Sequence, residues 1–119
     1  MACYKELSVY RKSYELVKEI YRQTESLPAT EQYGMQSQIR RAAVSIPLNI
    51  AEGYGKQSGA KETARFLSMA RGSCCEVDVL LNLMKDLGYM EEDVSQGLAS
   101  RYEEVGRMLT GLMQTLTSN

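Results

Sequence analysis

Gln38 to Gly53 reads QIRRAAVSIPLNIAEG, and two patterns within it decide the fold. Ile39, Ala43, Ile46 and Ile50 recur at helical spacing and make an apolar face. Gln38, Arg41, Ser45, Asn49 and Glu52 recur at spacings of 3, 4, 4 and 3. At about 3.6 residues per turn these five side chains fall within a narrow arc beside the apolar face. The stretch is therefore an amphipathic helix with a polar stripe at the margin of its core contact. Such a stripe can serve as a buried network, a subunit contact or a ligand surface, and spacing alone does not choose among the three. Pro47 lies inside the helix; it lacks an N–H and its ring crowds the Ala43 carbonyl, so a kink is expected between Ala43 and Pro47. The periodicity continues past Pro47, which argues against a break into two short helices.

On either side the chain repeats the helical pattern. From about Lys5 to Ser26, Leu7, Tyr10, Tyr14, Val17 and Tyr21 recur at 3, 4, 3 and 4, with Val9, Leu16 and Ile20 widening the stripe. Ser26-Leu27-Pro28 ends this helix, because the residue before proline disfavours the α region. Residues 29–36 form a connector, with Gly34 permitting a sharp change of direction. Gly53-Tyr54-Gly55 and Gly59 close the second helix. Ala60 to Leu87 is a third, with Ala64, Leu67, Ala70, Cys74, Val77, Leu81 and Met84 as its seam and Leu80, Leu83 and Leu87 broadening it. Gly88 stands where a helix C-cap glycine belongs. Glu91, Glu92 and Asp93 place negative charge on the first turn of a fourth helix, where the helix dipole favours it. Leu98, Tyr102, Val105, Leu109, Leu112 and Leu116 carry that helix to the C-terminus, and Gly97, Gly106 and Gly111 suggest close approach of a neighbour or dependence on tertiary contacts. No strand alternation competes. The expected fold is all-α: one domain over residues 1–119, an antiparallel up-down-up-down four-helix bundle with a kinked second helix.

Composition excludes several classes of function. The formal net charge is -1, so no overall basic field recruits nucleic acid. Residues 1–58 hold eight Lys/Arg against six Asp/Glu, whereas residues 89–119 hold two against five, so an anion-binding surface belongs to the first half. No apolar run approaches the length of a membrane span, and the N-terminal residues MACYKELSVY have no signal-peptide core. Cys3, Cys74 and Cys75 make no disulfide framework, which fits a reduced, cytoplasmic setting. Histidine is absent, removing the commonest general base and metal ligand, and with it the paired Glu-x-x-His motifs of a di-iron bundle. Tyr54-Gly55-Lys56-Gln57-Ser58-Gly59 lacks the Gly-Lys-Ser/Thr order of a phosphate loop and reads as a helix–helix turn. No nucleophile, base and orienting group can be assembled, so neither catalysis nor a metal or cofactor is expected.

Two sets of residues remain as candidates. Gln38, Arg41, Ser45, Asn49 and Glu52, joined by Glu76 from the third helix, could form a structural polar network in which Arg41 pairs with a carboxylate and Asn49 satisfies backbone groups near Pro47. Arg40, Arg41, Lys56, Lys61, Arg65 and Arg71 are the cations available for phosphate contacts, each with ordinary solvated helix surface as the competing reading.

The signature QIRRAAVSIPLNIAEG, followed by RFLSMARGSCCEVDVLL at Arg65 to Leu81, resembles the four-helix-bundle family of bacterial proteins encoded in intervening sequences of large-subunit (23S) ribosomal RNA genes, often labelled as a ribosomal protein. The resemblance runs from about Leu7 to Leu116. It includes the Leu-Pro turn with Glu31 and Gly34, the FLxxAxGS pattern at Phe66 to Ser73 and RMLxGL at Arg107 to Leu112. It implies an antiparallel bundle assembling as a ring, usually a homopentamer, with no established catalytic site. Arg41, Ser45, Pro47, Asn49, Glu52 and Glu76 match positions of the family pattern, where their placement suggests structural or assembly roles. A similar bundle is the accessory protein of diversity-generating retroelements, a basic pentamer that binds reverse transcriptase and nucleic acid. This sequence departs from that subgroup in its acidic balance and acidic fourth helix. The expectation is a non-enzymatic, cytoplasmic oligomer that binds RNA or a ribonucleoprotein partner such as a reverse-transcriptase-like protein. Its alternative is a protein–protein scaffold without nucleic-acid affinity; a small-molecule site in the polar stripe or along a ring axis is a third.

Overall fold

A computed structural model of the chain describes residues 3–118. Its four helices are α1 (Ser8–Gln23), α2 (Met35–Gly55), α3 (Ala60–Asp86) and α4 (Glu92–Thr117), with single 3-10 turns at Tyr4–Glu6 and Ala29–Glu31. There is no strand among the described residues. The helices lie along a rod of 47 × 21 × 20 Å. α3, with 27 residues, spans most of that length at about 1.5 Å per residue.

Hydrogen bonds between helices fix their registers. Ser45 meets Ser73, while Gly53, further along α2, meets Thr63, earlier on α3. Arg71 reaches Thr110, and Ser95 reaches the Leu81 carbonyl. In both pairs residue numbers rise on one helix as they fall on the other, so α2 and α3, and α3 and α4, are antiparallel. α3 packs extensively on both neighbours; α1 packs on α2 and only lightly on α4.

The core is a single aliphatic cluster. Ile39, Ala43, Ile46 and Ile50 are fully buried, as the stripe in the signature predicts. α2 runs unbroken through Pro47, which is itself buried. α1 differs from expectation. Its buried residues are Val9, Ser13, Leu16 and Ile20, whereas Tyr14 and Tyr21 are exposed. The tyrosine row and the aliphatic row share a heptad-like spacing, and the aliphatic row takes the core because its one polar group, the Ser13 hydroxyl, is satisfied by the Tyr10 carbonyl at 3.0 Å, whereas the tyrosine tips favour water. On α3, Leu80 is buried but Leu83 and Leu87 are exposed, and Ala64 is only half-buried beside buried Thr63. A Cβ built at Gly97, Gly106 or Gly111 meets nothing within 4 Å, so no neighbouring helix approaches closely there. The close approach occurs at Gly53, where a Cβ would stand 3.0 Å from the Phe66 Cβ and 3.3 Å from the Thr63 carbonyl oxygen.

The ends are closed by side chains from other elements. Gly88, at φ 83°, terminates α3 as its sequence position predicts. The Tyr89 N–H reaches the Met84 carbonyl at 2.8 Å and the Gly88 N–H that of Lys85 at 3.1 Å. Glu31 joins two connectors: one carboxylate oxygen accepts the Met35 N–H at the start of α2 (3.2 Å), the other the Tyr89 hydroxyl (3.1 Å). At the end of α1, the Thr24 hydroxyl donates to the Ile20 carbonyl at 2.7 Å and Gln36 donates to the Thr24 carbonyl at 2.8 Å.

Candidate interaction surfaces

The polar stripe of α2 faces the outer seam between α2 and α3. Ser45 is hydrogen-bonded to Ser73, and Asn49 donates to the Ser45 carbonyl at 2.8 Å. Those three residues form a small part-buried network. Gln38, Arg41, Glu52 and Glu76 are exposed and stand outside it. Among the described residues Arg41 pairs with no carboxylate; its guanidinium makes a 3.5 Å approach to the Ser37 hydroxyl. Glu52 instead meets Lys56 at 3.4 Å on its own helix. The seam thus joins the two halves of the signature through serines small enough for close helix contact, and leaves its charges to solvent.

The six nominated cations do not share a surface. Arg40 turns toward α1: its Nε donates to the Thr24 hydroxyl and its Nη2 to the Tyr21 carbonyl, both at 3.1 Å, while its guanidinium lies 4.2 Å from the Tyr21 ring centroid. It completes the C-terminal end of α1, where a cation complements the helix dipole. Arg71 turns the other way and donates to the Thr110 hydroxyl at 3.0 Å. Lys56, Lys61 and Arg65 gather near the α2–α3 turn, and Lys56 and Arg65 approach the Phe66 ring to 5.1 and 4.7 Å. Acids interleave with them: Arg65 forms a two-pronged contact with Glu62, at 3.1 and 2.7 Å, which holds the Glu62 carboxyl below its usual range. Arg41 and Lys61 are the two nominated cations with no salt bridge or close hydrogen bond among the described residues.

The wide apolar stripes of α1 and α3, which suggest oligomerisation through a second apolar face, leave large hydrophobic side chains exposed. Between α1 and α2 runs a groove of about 330 Å³ lined by Tyr4, Tyr10, Tyr14, Val17, Leu48 and neighbours. Tyr4 and Tyr10 pack edge to face at 5.1 Å, and Tyr10 and Tyr14 lie 5.9 Å apart, giving a continuous aromatic row. Tyr14 is 51% and Leu48 57% exposed. On α3, Val79 (57%), Leu83 (44%) and Leu87 (58%) stand one above the other as a solvent-facing ridge. The signal for both lay in the sequence, as apolar residues in excess of what one helix face can bury.

A third surface, a groove of about 590 Å³, lies between α3 and α4. Gly106 and Gly111 open it, Arg71, Asp78, Glu103 and Arg107 rim it, and Cys75 and Tyr102 are among its lining residues. The Tyr102 hydroxyl is buried and has no hydrogen-bond partner among the described residues; burial pushes its ionisation upward. Burial likewise pushes the Cys74 thiol up to about 12, which keeps it protonated and unreactive at neutral pH. No group of three His, Cys, Asp or Glu side chains among the described residues is placed to hold a metal ion. No helix there is long and apolar enough to cross a membrane.

The arrangement defines a class: an all-helical four-helix bundle whose distinctive features are open grooves and an apolar ridge on its surface. The chain belongs to the family described as 23S rRNA-intervening sequence protein, whose model matches residues 5–111. Among solved structures it is similar to a protein of unknown function from the S23 ribosomal protein family of Bacteroides thetaiotaomicron VPI-5482. The TM-score is 0.79 at 21% identity, over 89% of this chain and 98% of that one, a likeness of fold. No curated protein matches the chain.

Proposed function

We propose that this protein is a non-enzymatic helical-bundle adaptor that assembles with copies of itself and acts through protein–protein contact in a reducing, cytoplasmic setting. The observation that carries this reading is the exposure of large apolar side chains on α1, α2 and α3, surface that a monomeric bundle leaves in water at a cost. The cations, by contrast, are dispersed over separate faces: Lys56 and Arg65 pair with carboxylates, and Arg40 and Arg71 are engaged by acceptors on neighbouring elements. A homopentamer is the assembly that the family resemblance suggests, and a ribonucleoprotein component such as a reverse-transcriptase-like protein is the partner class.

A second reading, direct RNA contact, is favoured by Arg41 and by Lys61, which lies beside Lys56 and Arg65. One experiment separates the two. The protein is purified at moderate salt, its mass measured by light scattering, and a structured ribosomal-RNA fragment titrated by fluorescence anisotropy at low and physiological salt. The adaptor reading expects a discrete oligomer free of nucleic acid, with no saturable binding at physiological salt. A monomer overturns it. Saturable binding that survives physiological salt replaces it with the RNA reading, in which Arg41→Glu and Lys61→Glu then flatten the salt dependence.

A further inference from the structure

We propose that the groove between α3 and α4 binds a slender organic acid: a carboxylate on a flat apolar body, with a neutral hydrogen-bonding group at the far end. The inference does not depend on the self-assembly reading above.

The buried phenol is the first argument. Tyr102 is 1% exposed and lines this groove, and its hydroxyl is buried without a hydrogen-bond partner among the described residues. Buried tyrosine hydroxyls are ordinarily hydrogen-bonded, so the partner is to be sought in the space that adjoins the ring. That space is ample. Gly106 and Gly111 leave the α4 wall bare, and a Cβ at either meets nothing within 4 Å. The volume of about 590 Å³ suits a small molecule, whose sites run from about 300 to 1,000 Å³.

Charge is the second argument. Arg71 donates through Nη1 to the Thr110 hydroxyl at 3.0 Å, a bridge between α3 and α4 at one end of the groove. It makes no salt bridge among the described residues. Its remaining N–H groups form the fork that takes a carboxylate through two parallel hydrogen bonds. Asp78 lies two turns beyond Arg71 on α3, and Glu103 two turns before Thr110 on α4. Because the helices are antiparallel, both carboxylates stand at one level, about 10 Å from the bridge. Tyr102 adjoins Glu103 at this acidic end, and Arg107 lies between the ends, 3.6 Å from Glu103. An anionic head is therefore drawn toward Arg71 and kept from the other end, where the Tyr102 hydroxyl meets a neutral group.

The probe is 6-hydroxy-2-naphthoate, titrated into the full chain by fluorescence. 2-Naphthol, which lacks the carboxylate, and 2-naphthoate, which lacks the far hydroxyl, are the comparisons. Saturable binding of one probe per chain is expected, weaker by about tenfold for 2-naphthol and about threefold for 2-naphthoate. Arg71→Gln is expected to erase the advantage over 2-naphthol. Tyr102→Phe is expected to erase the advantage over 2-naphthoate while leaving 2-naphthoate itself unaffected, a split that a purely structural tyrosine does not give. Gly106→Leu fills the groove and is expected to abolish binding, with circular dichroism checking the fold; Gly111→Leu serves if that variant fails to fold. Absence of saturable binding overturns the site. So does binding that Arg71→Gln and the leucine variant leave unchanged, which would put the probe on another apolar surface. Equal wild-type affinity for the probe and 2-naphthoate would mean that water alone meets the Tyr102 hydroxyl, and overturns the proposed polarity of the ligand.

Discussion

The same chemical change, Gly→Ala, is expected to act with opposite sign at Gly53 and Gly106. Both residues are helical, so alanine gains helix propensity of up to about 1 kcal/mol at each, less at Gly53 because it lies in the last turn of α2. At Gly106 the added methyl meets nothing within 4 Å, so the gain stands and Gly106→Ala stabilises by about 1 kcal/mol. At Gly53 the methyl would lie 3.0 Å from the Phe66 Cβ and 3.3 Å from the Thr63 carbonyl oxygen, two atoms held by the α3 backbone. Relieving that contact moves α3 outward and stretches the 2.8 Å hydrogen bond from the Thr63 hydroxyl to the Gly53 carbonyl. Overpacking of this kind costs about 1–3 kcal/mol, so Gly53→Ala is expected to be net destabilising by about 1–2 kcal/mol. The variants then differ by about 2–3 kcal/mol, or about 8–12 °C in melting temperature for a chain of this size. Urea and thermal melts at one fixed protein concentration measure this, since self-association would otherwise shift the midpoints. Equal shifts of the same sign would refute the close approach at Gly53. A destabilised Gly106→Ala would show that the α3–α4 groove is filled in solution.

Three further outcomes are expected. Arg40→Ala should destabilise by about 1–3 kcal/mol in urea melts, since it removes two hydrogen bonds and the Tyr21 stacking at the end of α1, whereas Arg41→Ala should stay within about 0.5 kcal/mol. Tyr102→Phe should leave stability unchanged or raise it by about 1 kcal/mol in the same melts, because the hydroxyl it deletes is buried without a partner among the described residues. At alkaline pH the Cys74 thiol, raised from 9.0 to about 12, is protonated in the fold over a range where the unfolded chain ionises. Its contribution is whole below pH 9 and is lost as pH rises toward 12; Tyr10, Tyr54 and Tyr89 shift in the same direction above pH 10. Stability profiles between pH 8 and 12 should therefore fall, and less steeply in Cys74→Ala.

The helices were legible because their apolar residues recur with the right period, and Gly88 was legible because a left-handed C-cap has a fixed place after the last periodic residue. The orientation of α1 was not. Val9, Leu16 and Ile20 compete with Tyr10, Tyr14 and Tyr21 at nearly the same spacing, and the contest is settled by which row the other helices can desolvate completely. The same limit separates Leu80 from Leu83. Arg40 and Arg41 are neighbours in sequence but about 100° apart around α2, so one closes α1 and the other meets water, a difference that depends on where α1 lies. The serine pairing between the two signature segments and the grooves required the packed helices, because each is a property of two elements together.

The contact between Tyr89 and Glu31 joins residues 58 positions apart. It lies at the end of the rod that also holds the Arg40, Thr24 and Gln36 closures, so three of these ties lock one pole. The opposite pole carries the loop after Gly55, the first turn at Tyr4–Glu6 and the last turn of α4; its α2–α3 corner is held by the Thr63–Gly53 hydrogen bond, which leaves the ends of α1 and α4 as the free part. Opening fluctuations should therefore begin at that free pole and die out toward the tied one, and amide hydrogen exchange should grade along the rod axis instead of dividing helix from helix. A partner that prises helices apart would find its purchase at the free pole, with the tied pole acting as the hinge.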